Sequence, residues 1–239
     1  MLLHGDCLEL MPTLGDNCVD MVLVDLPYGS MTKCKWDIAI DLDAMWVQLK
    51  RICKPNANIV FFCTTRFGYE LIHSNKKWFR YDIVWEKPRC GGFLQCNNKV
   101  LRKHEMIYVF NNPIHRYKYN PQKTTGHKAL GHIKGREYKD GLVNVYGMTG
   151  TNDKYTDDTR FPTSIQKFGL DKEKLHRTQK PVALCEWLIK TYSNEGETVL
   201  DFTMGSGSTL VAAKNTGREF IGIEMDEEIF KIAEERLNI

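Results

Sequence analysis

Several features that would place this chain in a large class of proteins are missing from its sequence. No run approaches the roughly 18 apolar residues of a membrane-spanning helix, which excludes that class. The opening residues, Met1–Asp6, lack the basic and apolar regions of a secretory signal peptide, so we expect a cytoplasmic protein. With 239 residues, 42% of them hydrophobic, the chain can bury one substantial core, and we expect one domain with a sizeable insertion.

Cysteine pairs at C-x-x-C spacing are also missing, although the chain has eight cysteines. Their absence excludes a zinc ribbon and a thioredoxin-type motif. Cys90, Cys96 and His104 could be grouped as metal ligands, but their spacing fits no common metal site. We therefore expect free thiols and no bound metal.

Charge is nearly balanced over the whole chain, with a formal net charge of +3, but it is distributed unevenly. The stretch 76–139 contains 15 Lys or Arg against four acidic residues, a local net charge of +11 that leaves −8 for the remainder. Such asymmetry predicts a face that binds a polyanion, although a solvated basic surface would give the same count. Aromatic residues within the stretch favour nucleic acid, because bases stack on aromatic rings.

Short apolar runs alternate with helical patterns, which predicts an α/β fold with a mostly parallel sheet covered by helices. Apolar residues at helical spacing indicate one helix that ends before Pro55, one with Pro181 in its first turn and one capped by Asp226. The predicted strands are Met1–His4, Met21–Asp25, Asn58–Cys63, Tyr81–Trp85, Met106–Phe110, Thr198–Phe202 and Glu219–Glu224.

The stretch from Asn111 to Leu170 has little periodicity and is rich in Lys, Tyr, Thr and Asp. A segment this long without regular structure is usually functional or disordered. We interpret it as an inserted recognition region, and a loop without a role of its own is the alternative.

A glycine-containing turn joins the buried strand pattern Thr198–Asp201 to a predicted helix. Gly205 and Gly207 would allow a ligand close to the backbone and to the helix N-terminus. Glu224 follows the next strand, 23 residues past Asp201, where a carboxylate can accept hydrogen bonds from ribose hydroxyls. NAD and S-adenosylmethionine both fit this pattern. The third glycine of the dinucleotide fingerprint is missing, however, and Asp201 suits a cofactor with an ammonium group better than a pyrophosphate.

A second turn, Asp25-Leu26-Pro27-Tyr28, follows the apolar run that begins at Met21. It combines a carboxylate, a backbone fixed by proline and an aromatic ring at the ligand-binding edge of an α/β sheet. These groups suit methylation of an exocyclic amine, whose lone pair is delocalised into its ring. A carboxylate and a carbonyl that accept both N–H bonds localise that lone pair and stabilise the developing positive charge. The target base would have to leave the duplex.

Together these motifs resemble those of the beta-class amino-methyltransferases of DNA, which use S-adenosylmethionine to methylate adenine N6 or cytosine N4. The motifs follow the family order over nearly the whole chain: His4–Cys7, Asp25–Tyr28, His176–Pro181, Asp201–Ser208 and Glu224. The resemblance implies a doubly wound, circularly permuted, Rossmann-like methyltransferase fold with seven strands. It implies a catalytic half at 1–110, an inserted DNA target-recognition region at 111–170 and a cofactor-binding half at 171–239.

The resemblance also implies residue roles. Asp25 and the carbonyl of Leu26 would hold the target amine, Pro27 would fix the turn, and Tyr28 would stack on the flipped base. Asp201 would face the cofactor's amino group, Glu224 its ribose and Lys180 its methionine carboxylate. The residues implied to bind the cofactor are Asp6, Cys7, His176, Thr178, Lys180, Asp201, Phe202, Gly205, Ser206, Gly207, Ser208 and Glu224.

The chain departs from the family pattern at Leu26, where proline is usual, and at Arg177 and Phe202. The role at Leu26 belongs to a backbone carbonyl, so the reaction does not depend on that side chain. An Asp at the head of the motif resembles adenine-type members, and we predict methylation of adenine N6 in double-stranded DNA. Cytosine N4 methylation, a non-catalytic DNA-binding module and a nicotinamide dehydrogenase are the alternatives. A homodimer and a restriction enzyme partner are compatible with the resemblance.

Overall fold

The computed structural model describes residues 1–29, 39–128, 158–172 and 179–238. These residues form one sheet of eight strands and six α-helices. The strands are β1 (Leu2–His4), β2 (Val19–Asp25), β3 (Cys53–Cys63), β4 (Phe79–Gly91), β5 (Arg102–Asn111), β6 (Ile165–Lys167), β7 (Thr198–Asp201) and β8 (Glu219–Glu224). The helices are α1 (Cys7–Leu10), α2 (Leu42–Ile52), α3 (Thr65–Ser74), α4 (Val182–Tyr192), α5 (Ser208–Asn215) and α6 (Glu227–Leu237).

The strand order is β1-β8-β7-β2-β3-β5-β4-β6. Only β5 runs antiparallel to its neighbours among the described strands, so the predicted α/β class with a mostly parallel sheet is confirmed. All seven predicted strands are present, several of them longer than predicted. The eighth, β6, has only three residues, which is too short to give a periodic signal in the sequence.

Helices cover both faces of the sheet, and successive residues of β2 point to opposite faces. Val22 and Val24 face a core formed with α2 and α3, whereas Met21 and Leu23 face a core formed with α4 and α5. All four side chains are fully buried. A strand that is apolar on both faces is typical of the centre of a parallel sheet.

The helix ends agree closely with the sequence signals. Asp226 caps α6 as predicted, since its Oδ1 accepts hydrogen bonds from the backbone N–H groups of Glu228 and Ile229. Pro181 stands immediately before α4 instead of inside its first turn, a shift of one residue. No helix within the described ranges is long and apolar enough to span a bilayer.

The chain divides into two compact units, one formed by Met1–Asn120 with Ser164–Ile239 and the other by Pro121–Thr163. The first unit contains the sheet and every helix named above. Within the described part of the second unit, Thr124 and Arg160 form an antiparallel bridge. This unit lies inside the segment 111–170, whose recognition role stays a prediction.

The order of the strands changes direction between β2 and β7, which are direct neighbours. From β7 the chain passes through α5 to β8 on one side, and from β2 it passes through α2 to β3 on the other. Ligands bind at such a switch point, beyond the carboxyl ends of the strands. The ends of these two strands are Asp25 and Asp201.

Candidate active site

A cavity of about 470 Å³ opens beyond the carboxyl ends of β2, β7 and β8. Its described lining residues include five acids and one cation, which gives the cavity an excess of negative charge. These charged residues are Asp6, Asp25, Asp41, Asp201, Glu224 and Lys180. The cavity therefore favours a ligand that carries positive charge.

The turn after β2 presents Asp25 to this cavity, with 29% of its side chain exposed. The Tyr28 hydroxyl donates a hydrogen bond of 3.1 Å to Asp25 Oδ1, and the Tyr28 ring lies 5.2 Å from that of Phe67. Burial is the main cause that raises the pKa of Tyr28, so the hydroxyl stays protonated and acts as a donor. The Leu26 side chain is buried and packs into the core formed with α2 and α3.

The Asp25 carboxylate also contacts the ammonium of Lys180, which lies 3.1 Å from Glu105 Oε1 as well. Burial opposes the charged form of Lys180, but the two carboxylates outweigh it and raise the pKa of Lys180 above its ordinary value. Burial raises the pKa of Asp25 and Glu105 adds to this effect, whereas Lys180 opposes it. Lys180 thus lies between two carboxylates, while the resemblance assigns it to the cofactor.

The carboxyl ends of β7 and β8 bring Asp201 and Glu224 to the same cavity, on either side of the glycine-containing turn. Asp201 is 4% exposed, and burial raises its pKa to about 7. Glu224 Oε2 accepts a hydrogen bond of 2.9 Å from the backbone N–H of Gly205, which holds the turn against the end of β8. Gly205 and Gly207 both have positive φ, which favours glycine, and Gly207 stands immediately before α5.

The first loop of the chain completes the cavity wall. Asp6 caps α1 by accepting a hydrogen bond of 2.7 Å from the backbone N–H of Leu8. The Gly5 N–H donates a hydrogen bond of 2.9 Å to the Glu224 carbonyl, which continues the pairing of β1 with β8 into this loop. Burial, with the nearby Asp6, raises the pKa of Cys7 to about 12, so its thiol remains protonated and is no nucleophile.

The turns after β2 and β7 are joined directly. The Thr203 hydroxyl donates a hydrogen bond of 3.0 Å to the backbone carbonyl of Asp25. One end of the site therefore presents a carboxylate beside an aromatic hydroxyl, and the other presents two carboxylates beside a glycine turn. This arrangement suits a cationic ligand at the carboxylate pair and a hydrogen-bond donor, such as an amine, at Asp25.

The family model described as DNA methylase matches residues 19–235. The chain belongs to this family. Two similar relatives are the type II methyltransferases M.HinfI of Haemophilus influenzae and M2.LlaDCHI of Lactococcus lactis subsp. cremoris, each 26% identical to the chain. The alignments cover 99% of the chain and 67% of the first relative, and 100% of the chain and 89% of the second.

Two solved structures share the fold of this DNA methylase. M1.HpyAVI in complex with SAM is 23% identical, with a TM-score of 0.63 over 99% of this chain and 98% of that one. The cytosine-N4-specific PvuII DNA methyltransferase is 14% identical, with a TM-score of 0.68 over 97% of this chain and 84% of that one.

Most of the residues implied by the family resemblance come together in this DNA methylase. Gly207 is close to the cavity but does not line it, and His176 and Thr178 lie outside the described residues. The implied residues that line the cavity are Asp6, Cys7, Asp25, Leu26, Pro27, Tyr28, Lys180, Asp201, Phe202, Gly205, Ser206, Ser208 and Glu224.

Sequence reasoning missed two residues around Lys180. Glu105 is 8% exposed at the start of the buried part of β5, and the ring centroid of Phe62 lies 5.2 Å from the Lys180 ammonium. The sequence signal for Glu105 is its place immediately before the apolar run Met106–Phe110. A carboxylate beside a buried strand predicts a cationic partner, because carboxylates are rarely buried alone.

The candidate metal ligands Cys90, Cys96 and His104 are all exposed in or beside the β4–β5 connection. Within the described ranges, no group of three His, Cys, Asp or Glu residues is arranged to hold a metal ion.

Proposed function

We propose that this DNA methylase transfers a methyl group from S-adenosylmethionine to the N6 amine of adenine in double-stranded DNA. The observation that carries the proposal is the placement of the Asp25 turn and the Asp201–Glu224 pair around one cavity at the switch point of the sheet. Methyl transfer needs an amine acceptor and a cofactor site side by side, and the hydrogen bond from Thr203 to Asp25 joins these two parts.

In this proposal Asp25 accepts one N–H bond of the target amine and the Leu26 carbonyl accepts the other. The two acceptors direct the nitrogen lone pair out of the ring plane and stabilise the positive charge that develops on nitrogen. Tyr28 keeps the Asp25 carboxylate oriented through its 3.1 Å hydrogen bond and offers an aromatic face for the base. Positioning and electrostatics are the contributions of the protein, and no covalent enzyme intermediate is involved.

The charges of the cavity fit S-adenosylmethionine, whose sulfonium and ammonium outweigh its single carboxylate. Asp201 would accept a hydrogen bond from the cofactor's ammonium, and Glu224 would bind its ribose hydroxyls. When bound, the cofactor supplies a methyl group made electrophilic by the positive sulfur. A dinucleotide suits the cavity less well, because its pyrophosphate would meet an excess of carboxylates.

Double-stranded DNA is the proposed substrate because type II methyltransferases are the relatives of this chain and because its basic residues cluster. Arg89, Lys99, Arg102 and Lys103 are exposed on β4, β5 and their connection. Exposed cations that cluster on neighbouring segments can contact phosphates. The target base would then have to flip out of the helix to reach Asp25.

The choice of adenine over cytosine rests on Asp25 at the head of the motif. The fold does not decide it, since a cytosine-N4-specific enzyme is among the structural neighbours. The choice of base is therefore the first property to measure.

The test incubates unmethylated bacterial DNA with S-adenosylmethionine that carries a labelled methyl group, followed by digestion and mass spectrometry of the nucleosides. We expect label in N6-methyladenine with the wild-type protein and none with Asp25→Ala. Label in N4-methylcytosine would overturn the choice of base and keep the mechanism. Absence of label in both bases, with the cofactor bound, would favour a non-catalytic DNA-binding module.

A further inference from the structure

Four side chains of alternating charge form a chain of ion pairs that begins at the cavity. Asp25 contacts Lys180, Lys180 lies 3.1 Å from Glu105 Oε1, and Glu105 Oε2 lies 2.5 Å from the ammonium of Lys87. Asp25 ends β2, Lys180 precedes α4, Glu105 lies in β5 and Lys87 lies in β4. Glu105 pairs with Trp85 across β5 and β4. Four separate segments therefore converge on one cluster.

The two carboxylates of this cluster differ in access. The Asp25 side chain is 29% exposed and lines the cavity, whereas that of Glu105 is 11% exposed and does not line it. A substrate in the cavity can thus meet Asp25 but not Glu105. Glu105 can therefore act on the reaction only indirectly, through its contact with Lys180 and through its charge.

The charges of the cluster indicate how Glu105 would affect Asp25. Asp25 paired with Lys180 alone would form a neutral pair, and a neutral pair gives little stabilisation to a positive charge developing on the target nitrogen. Glu105 adds a second negative charge to the other side of the same ammonium. Lys87, which is 34% exposed, offsets that charge only in part, because water screens an exposed ammonium. The carboxylate of Asp25 then keeps its negative charge available to the cavity.

We propose that Glu105 is a positioning residue that acts as the counter-ion of Lys180 and so frees Asp25 to stabilise the target amine during methyl transfer. The inference deepens the proposed function and rests on it. Each of the two lysines in the cluster also lies beside an aromatic ring. The ring of Phe62 lies beside Lys180, at 5.2 Å, and Lys87, which is 34% exposed, lies 4.9 Å from the centroid of the Trp85 ring.

The other titratable or charged groups that act on this cluster leave the charge balance intact. Tyr28 donates to Asp25 and stays neutral, as does the buried thiol of Cys63, because burial raises the pKa of each. Repulsion from Asp25 adds to the rise of the Asp201 pKa, and Arg102 on β5 opposes the rise of the Cys63 pKa. Lys180 is the only cation among the described cavity-lining residues.

The test compares the wild-type protein with Glu105→Gln, which removes the charge and keeps the shape. With saturating cofactor and DNA, we expect single-turnover methyl transfer to slow about 10- to 100-fold. Cofactor affinity should stay within about twofold, measured by calorimetry. The acid limb of the rate profile should move to lower pH, because Asp25 loses a neighbouring like charge and gains sole use of Lys180. Glu105→Asp should recover much of the rate.

Glu197→Gln provides a matched control. Glu197 pairs with Lys118 at 2.7 Å, outside the cavity, so its loss removes an ion pair without touching the site. The inference is overturned if Glu105→Gln transfers methyl groups within twofold of wild type, if Glu197→Gln slows transfer equally, or if the acid limb stays in place or rises. Failure of the wild-type protein to methylate DNA would instead refute the proposed function.

Discussion

The ionisation of Asp201 offers a quantitative test of the cofactor site. Asp201 is almost fully buried at the end of β7, and burial raises its pKa to about 7 in the ligand-free protein. A cationic cofactor requires the ionised carboxylate. Binding must therefore be strongest above pH 7 and must weaken as the pH falls through the pKa of Asp201.

The size of this effect follows from the pKa. At pH 8 about nine tenths of Asp201 is ionised, and at pH 6 only about one tenth is. The dissociation constant for S-adenosylmethionine should thus rise about tenfold from pH 8 to pH 6, which corresponds to about 1.4 kcal/mol. At pH 7, binding should release about half a proton from this residue.

Calorimetry at pH 6, 7 and 8, repeated in buffers of different ionisation enthalpy, measures both the affinity and the released protons. Asp201→Asn is the control, because it lacks the titrating group and retains any titration of the ligand itself. The reasoning is refuted if the wild-type affinity is the same at pH 6 and pH 8, or if the variant shows the same pH dependence as the wild type.

Three further predictions address stability and DNA binding. Asp201→Asn should stabilise the protein without cofactor at pH 8 by up to about 4 kcal/mol, because burying the ionised carboxylate costs free energy there. In urea unfolding this gain should fall to about 1.5 kcal/mol at pH 5 and vanish below about pH 4, where the carboxyl of the unfolded chain is protonated as well. Asp20→Ala should lower the free energy of unfolding by about 3 kcal/mol, because it leaves the largely buried Lys118 with one carboxylate fewer and removes the acceptor of the Thr198 N–H. Asp16→Ala, which removes an exposed ion pair with Arg51, should lower it by under about 1 kcal/mol in the same urea titration. Replacing Arg89, Lys99 and Arg102 together by Ala should weaken DNA binding and reduce the slope of log affinity against log salt by about 2 to 3 in fluorescence anisotropy, and an unchanged slope would show that these residues do not contact phosphates.

Local patterns in the sequence predicted the sheet well. Each of the seven predicted strands is present, because central strands such as β2 are apolar on both faces and give a strong signal. The cap at Asp226 was predictable for the same reason, since the side chain and the two N–H groups that it binds lie within three residues. Such features depend on neighbours in the sequence.

Helix α3 and strand β6 are among the elements that the sequence patterns did not predict. Helix α3 has a capping Thr64 and buries Phe67 and Leu71 four positions apart, but a glycine stands in its middle and weakens the helical pattern. Strand β6 has three residues and depends on its partner β4, which no local pattern reveals.

The candidate site likewise has a part that local sequence patterns predict and a part that they do not. The turns at Asp25 and Asp201 were predictable because each follows an apolar strand and carries its reactive groups within a few residues. The pairing of Lys180 with Asp25 joins positions 155 apart, and the partnership with Glu105 depends on the antiparallel placement of β5. Long-range ion pairs leave no local signal, so the structure was needed to find them.

The central claim is that the Asp25 turn performs the chemistry and that the Asp201 turn binds the cofactor in one active site. Single-turnover methyl transfer, measured alongside cofactor affinity for Asp25→Asn and Asp201→Asn, tests it directly. We expect Asp25→Asn to lose at least about 100-fold in transfer rate with cofactor affinity unchanged. Asp201→Asn should lose cofactor affinity and regain most of the rate at saturating cofactor. Equal losses of rate and affinity in both variants, or full activity in either, would contradict the account.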